Sequence, residues 1–271
     1  MEQAYFDQED PLQDVLYSVK YSTSWIAKND GRLFPHMPLY CEGYPKSKFR
    51  GYSHAAASLS LIFALGLLLQ ETRNCPTGIV VSFFYIFAQL CCYGFSALFH
   101  VFTWSPKWEI LMQKLDHCGI GILSTGLMLP TCVFLLGEIY GTLLFGTSII
   151  LCIVLCTNIF KCRPSLTMQG IVAIWWFMPF WKVLFNVMTT LEFSCMIAVI
   201  ILKAIGLYIF AKEYPDPFPK TFGFHEVFHV FVCIAGLCIF ACNWSIIHRS
   251  CNSVWLFLLK VLLTVLTTSY F

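Results

Sequence analysis

The sequence predicts an all-α polytopic membrane protein: a bundle of seven transmembrane helices with a cytoplasmic N-terminus, followed by a further apolar segment at the C-terminus. Three observations lead there. Of 271 residues, 58% are hydrophobic, 17% aromatic and only 12% charged, and the mean hydropathy is +0.71. That is more apolar surface than a soluble domain can bury. Apolar runs long enough to cross a hydrocarbon core recur from residue 53 onward, with short polar interruptions. Lysine and arginine collect in alternate intervening segments. The net charge of +2 is too small to argue for nucleic acid or another polyanion as a partner.

Residues 1–50 form a polar cytoplasmic tail, acidic at first (Glu2, Asp7, Glu9, Asp10, Asp14) and basic near Lys46, Lys48 and Arg50. The tail lacks the basic start, apolar stretch and small-residue cleavage site of a secretory leader, so the first apolar run is expected to act as the targeting signal. Residues 51–247 form the transmembrane domain, with spans expected at 53–69, 78–101, 116–136, 141–160, 169–187, 193–210 and 222–247. Pro130 and Pro179 fall inside the third and fifth, where a kink is expected and neighbouring helices can satisfy the freed carbonyl. In the C-terminal segment, 248–271, the run 253–271 is long enough to span but has Lys260 near its middle and no polar residue beyond it. It is read as an interfacial helix or an eighth span.

Sidedness follows from the basic residues. Lys46, Lys48 and Arg50 precede the first span, Lys107 and Lys114 follow the second, Lys161 and Arg163 the fourth, and Lys212 and Lys220 the sixth. The alternate segments hold only Arg73 and Arg249. Cytoplasmic loops are enriched in Lys and Arg, which places the N-terminus in the cytoplasm.

With that topology, polar residues from distant parts of the chain reach one depth. His100 closes the second span, Asp116 and His117 open the third, and His225, Glu226 and His229 open the seventh, all at the cytoplasmic end. Ionisable groups in a bilayer are costly enough to be functional by default. Ser96 and His100 are spaced i, i+4, as are His225 and His229, so each pair shares a helix face. Three imidazoles with an open position make a catalytic zinc ligand set. We assign His100, His225 and His229 to Zn2+, Asp116 to the acid or base that handles the attacking water, and Ser96 to a supporting or transition-state hydrogen bond. The letters HEVFH, 225–229, also spell the H-E-x-x-H signature of zinc proteases, in which the glutamate is the general base.

Three segments carry a family resemblance. "SALFH" (96–100), "LDHCGI" (115–120) and "FGFHEVFHVFV" (222–232), with "GYSHA" at 51–55, resemble the signatures of the haemolysin III and progestin/adipoQ receptor family, in order and over about 51–247. The resemblance implies seven helices, an inward N-terminus and a zinc held by His100, His225 and His229, with Asp116 and Ser96 beside the attacking water. It also implies kinship with alkaline ceramidases, within a superfamily of membrane hydrolases. Animal members act as receptors, and some microbial members are described as pore-forming haemolysins. The family pattern includes only the histidines of HEVFH and leaves Glu226 open. Membrane-embedded zinc proteases are expected to bring an LDG-type motif downstream, whereas this chain has only "LDH", upstream.

The expected function is therefore zinc-dependent hydrolysis of an amide or ester bond in a membrane lipid, ceramidase-like; the alternatives are a receptor with structural zinc and a pore former. Lys182 and Lys203 lie within spans, Lys182 placed to snorkel and Lys203 deep enough to pair or to face a ligand. Most of the 14 cysteines fall in spans, where they pack as small apolar residues. Cys75 and Cys251 share the non-cytoplasmic side, where a disulfide depends on their proximity. Cys41 and Cys162 are expected to stay reduced.

Overall fold

The computed structural model describes Tyr40 and residues 46–161 and 181–268, with side chains except at 106, 181–183 and beyond Asn252. Helices α1 (Tyr52–Thr72), α2 (Pro76–Val101), α3 (Pro106–Leu127), α4 (Leu129–Phe134), α5 (Gly137–Lys161), α6 (Trp181–Val187), α7 (Thr190–Lys212) and α8 (Phe224–Thr268) make an all-helical fold. Among the described residues, six stretches are long and apolar enough to cross a membrane, α3 and α4 counting together as one. They match the first four, sixth and seventh predicted runs. The fifth run, with Pro179, lies outside the described residues except for its end in α6, as do Cys41 and Cys162. The backbone of α8 stays helical to Thr268.

The outward faces explain the composition. Leu59, Ile62 and Phe63 on α1, Phe83 and Phe87 on α2, and Ile150 and Ile153 on α5 are exposed. In water such a surface would be an aggregation liability. In hydrocarbon it is the solvated face, while the helices satisfy their own backbone groups. Inside, α8 packs along α7 and α1, α2 lies between α1 and α3, and α5 closes on α3 and α4. Leu68, Tyr85, Met128, Leu144, Met196 and Ile246 belong to one buried core.

Two boundaries differ from expectation, each for a local reason. The third span begins at Pro106 rather than residue 116, so Lys107 and Lys114 lie on a helix and not in a loop. Proline at the first helical positions and Glu109 in the first turn both favour a helix start. Hydropathy misses this turn because its polar residues are buried against protein: Glu109, Gln113 and Lys114 are all buried, and Lys114 Nζ donates to the Phe160 carbonyl at 3.2 Å. Pro130 does more than kink the third span; it separates α3 from α4. Proline offers no N–H to the ladder, and the Asn243 side chain on α8 donates to the nearby Leu127 carbonyl at 2.9 Å. A neighbouring helix thus satisfies the interrupted backbone, as expected of a proline at this depth.

Gly51 sets the start of α1. It adopts φ +83°, a conformation costly to any residue with a Cβ. A Cβ there would also come within 2.7 Å of His100 Cβ. The absence of a side chain therefore lets the start of α1 close against the end of α2, where His100 sits.

Candidate metal centre

The last turns of α2 and the first turns of α8 meet at one end of the bundle. From α2 come Ser96 and His100, and from α8 come His225 and His229, all four buried. Each pair lies one turn apart on a single helix face, as the i, i+4 spacing requires. His100, His225 and His229 each offer a ring nitrogen within 4.8 Å of the others. Nε2 of His225 and Nε2 of His229 are 3.0 Å apart. The three histidines singled out in the sequence are thus brought together into a group that could hold a metal ion.

The donor set fits such an ion. Nitrogens about 2.0–2.1 Å from a tetrahedral metal lie about 3.3 Å from one another, close to the observed separation on α8. The other nitrogen of His100, Nδ1, is 2.6 Å from the Tyr40 hydroxyl, the kind of outer contact that fixes a ligand ring. Arg50 Nη1 lies 3.2 Å from His225 Nδ1. A guanidinium only donates, so His225 Nδ1 accepts in this contact. His229 Nδ1 is buried without a hydrogen-bond partner among the described residues.

Asp116, in the third turn of α3, stands beside the histidines. Its Oδ2 is 3.9 Å from His100 Nε2, with 18% of the side chain exposed. That is too long for a direct hydrogen bond and leaves space for a small bridging group. Ser96, one turn before His100 on α2, lies within reach of the Asp116 carboxyl on α3. His117, about 100° further round the helix, is not one of the clustered histidines. Lys203 is half-buried on α7, about 13 Å along that helix from its end at Lys212.

Glu226 has a different role from the one its motif suggests. Its Oε1 pairs with Arg50 and accepts from Ser47 Oγ at 2.5 Å, and its Oε2 accepts the Gly223 N–H at 2.6 Å. Both oxygens are engaged. The carboxylate caps the positive end of α8 and fastens the segment before α1, whose Lys48 and Phe49 amides donate to the Lys220 and Thr221 carbonyls.

Sequence reasoning missed Tyr40 and Arg50, which hold ligand rings, and His54. The His54 ring stacks on that of His229, with centroids 3.9 Å apart and planes 7° from parallel. Neither of its nitrogens has a hydrogen-bond partner among the described residues. One signal was available: His54 lies at the start of the first span, at the same depth as the other histidines. Apolar rings complete the surround, Phe99 against His100, Phe210 against His225 and Phe228 against His229.

A family model described as haemolysin-III related matches residues 43–240. That stretch contains Ser96, His100, Asp116, His225 and His229.

Proposed function

Because the chain belongs to the haemolysin-III related family, we propose that it is a zinc-dependent membrane hydrolase that cleaves an amide or ester bond in a lipid, in the manner of a ceramidase. The observation that carries this reading is the buried group of three imidazoles with a carboxylate held just outside it, 3.9 Å from His100. Three nitrogen donors leave one position of a tetrahedral zinc for water or substrate. Zinc, when bound, supplies a Lewis acid and an acidified water.

The protein's own groups do the rest. Asp116 takes the proton of the attacking water and returns it to the leaving group. Ser96, within reach of Asp116, orients that carboxylate and helps hold charge developing on the carbonyl oxygen. Tyr40 and Arg50 keep the rings of His100 and His225 in place. A lipid substrate suits a site walled by Phe99, Phe210 and Phe228, since an acyl chain can enter between helices without leaving hydrocarbon. Glu226 is occupied by Arg50, Ser47 and Gly223, which argues against a zinc protease.

The site end is also the basic end. Lys46, Lys48, Arg50, Lys107, Lys114, Lys161, Lys212 and Lys220 gather there, against Arg73 and Arg249 at the other. That asymmetry supports a cytoplasmic N-terminus and a site near the cytoplasmic face.

The test is zinc content and turnover on a panel of lipid amides and esters, with protein purified in detergent. Wild type is expected to carry about one zinc per chain, and His225→Ala to lose both metal and turnover. Asp116→Asn should keep its zinc while turnover falls about 100-fold or more. Equal zinc in wild type and His225→Ala would reject the site. Zinc without turnover across the panel would reject the hydrolase and leave a structural metal, as in a receptor.

A further inference from the structure

We propose that Cys75 and Cys251 form a disulfide that staples the start of α2 to α8 at the end of the bundle opposite the histidines, the oxidant being a low-molecular-weight or protein-borne disulfide. The proposal rests on the orientation given above, which puts this end on the oxidising side of the membrane.

The geometry is prepared on both helices. Cys75 caps the N-terminus of α2, and its amide donates to the Thr72 carbonyl at 2.7 Å, which fixes its backbone. Gly78 lies three residues on, on the same helix face. A Cβ at Gly78 would come within 2.5 Å of Cys251 Sγ, so the missing side chain is what admits the α8 thiol to the first turn of α2. Both cysteines border the same cavity between the helices. Beside them Glu71 binds His248 at 2.6 Å, fastening the end of α1 to α8 within a turn of Cys251. These contacts already hold the two cysteine-bearing segments together.

An oxidant can also reach the pair. The thiols line an open cavity of about 440 Å³ together with Glu71, Arg73, Asn74 and Asn252. Cys75 is half-buried and Cys251 buried, which sets the order of events. The Cys75 thiolate attacks one sulfur of the oxidant disulfide, forming a mixed disulfide and releasing one thiolate. The Cys251 thiolate then attacks the Cys75 sulfur, forming the internal bond and releasing the second. The two protons and two electrons lost by the cysteines end on the oxidant, now two thiols.

A second thiol cluster is the internal contrast. Cys118 on α3 and Cys156 on α5 sit with Leu151, Leu155 and Ile159 in an apolar cluster. A water-borne disulfide has poor access to such a site, and that cluster should stay reduced.

The experiment uses the full chain in cells, with thiols quenched by a membrane-permeant maleimide before purification, and peptides mapped with and without reductant. An N-terminal tag carrying an N-glycan acceptor reports sidedness in the same sample. Expected are a Cys75–Cys251 linked peptide as the main form, its loss in Cys75→Ser and Cys251→Ser, and an unglycosylated tag. Reduced Cys75 and Cys251 with an unglycosylated tag would overturn the disulfide and leave the orientation standing. A glycosylated tag would overturn the orientation and the proposal with it. Purified wild type treated with oxidised glutathione supplies a readout independent of folding variants. Rapid linkage of Cys75 to Cys251 there supports the proposal, and equal linkage of Cys118 to Cys156 overturns it.

Discussion

Helix α8 carries two arginine–glutamate pairs, one in its first turn and one about 34 Å further along its axis, at the other end of its membrane-crossing stretch. At the site end Glu226 on α8 meets Arg50, and both side chains are buried, at 3% and 8% exposure. At the far end Arg249 on α8 meets Glu192 on α7; Glu192 is fully buried but Arg249 is 36% exposed. What differs is where the remaining donors go. Arg50 extends to the Nδ1 of His225, whereas Arg249 extends to the Val187 carbonyl at 2.9 Å. Glu192 completes a capping box with Thr189 and accepts from Ser245. The same ion pair thus supports a chemical site at one end and fastens helices at the other.

Breaking each pair should separate the two roles. Glu226→Ala leaves the buried Arg50 guanidinium without its carboxylate and should destabilise the protein by about 3–5 kcal/mol. Zinc content should fall with it, because Arg50, no longer anchored by Glu226, cannot hold the His225 ring. Thermal unfolding in detergent and metal analysis report the two effects. Glu192→Ala removes charge-assisted hydrogen bonds at a partly wet site and should cost about 1.5–3 kcal/mol, with zinc content unchanged. Zinc loss in that variant would show that the two ends are coupled, contrary to the division drawn here. The smallest effect is expected for Tyr40→Phe, which removes only the hydroxyl at His100 Nδ1. Zinc affinity should fall about tenfold, roughly 1.4 kcal/mol, while the melting temperature of the metal-free protein hardly moves.

The two ends also differ in how much of them was legible in the sequence. His100, His225 and His229 could be read because each sits at a predictable helix end, with a partner four residues away or a matching depth on another span. Asp116 was found by the same depth argument, although its helix starts a full two turns earlier than hydropathy suggests, since Glu109 and Gln113 are buried against protein rather than lipid. Arg50 and Tyr40 were missed as site residues because they come from a tail with no periodicity to place them. His54 was missed for another reason: a lone histidine on an apolar helix becomes informative only once the facing side of that helix is known. Glu226 was visible but misleading, because a motif records neighbours along the chain and its partners Arg50 and Ser47 lie far from it in sequence.

By itself the sequence determined the solvent, the helical class and the end of the bundle at which the histidines gather, because hydropathy, helical spacing and span parity are properties of the local chain. It likewise put Cys75 and Cys251 on the same side. Which side chains touch was decided only by the tertiary structure. The stacking of His54 on His229, the capture of Glu226 by Arg50 and the fit of Cys251 against Gly78 all depend on how α1 and α2 pack against α8. Rotating a helix within the bundle changes each of those contacts while leaving its hydropathy, length and depth as they were.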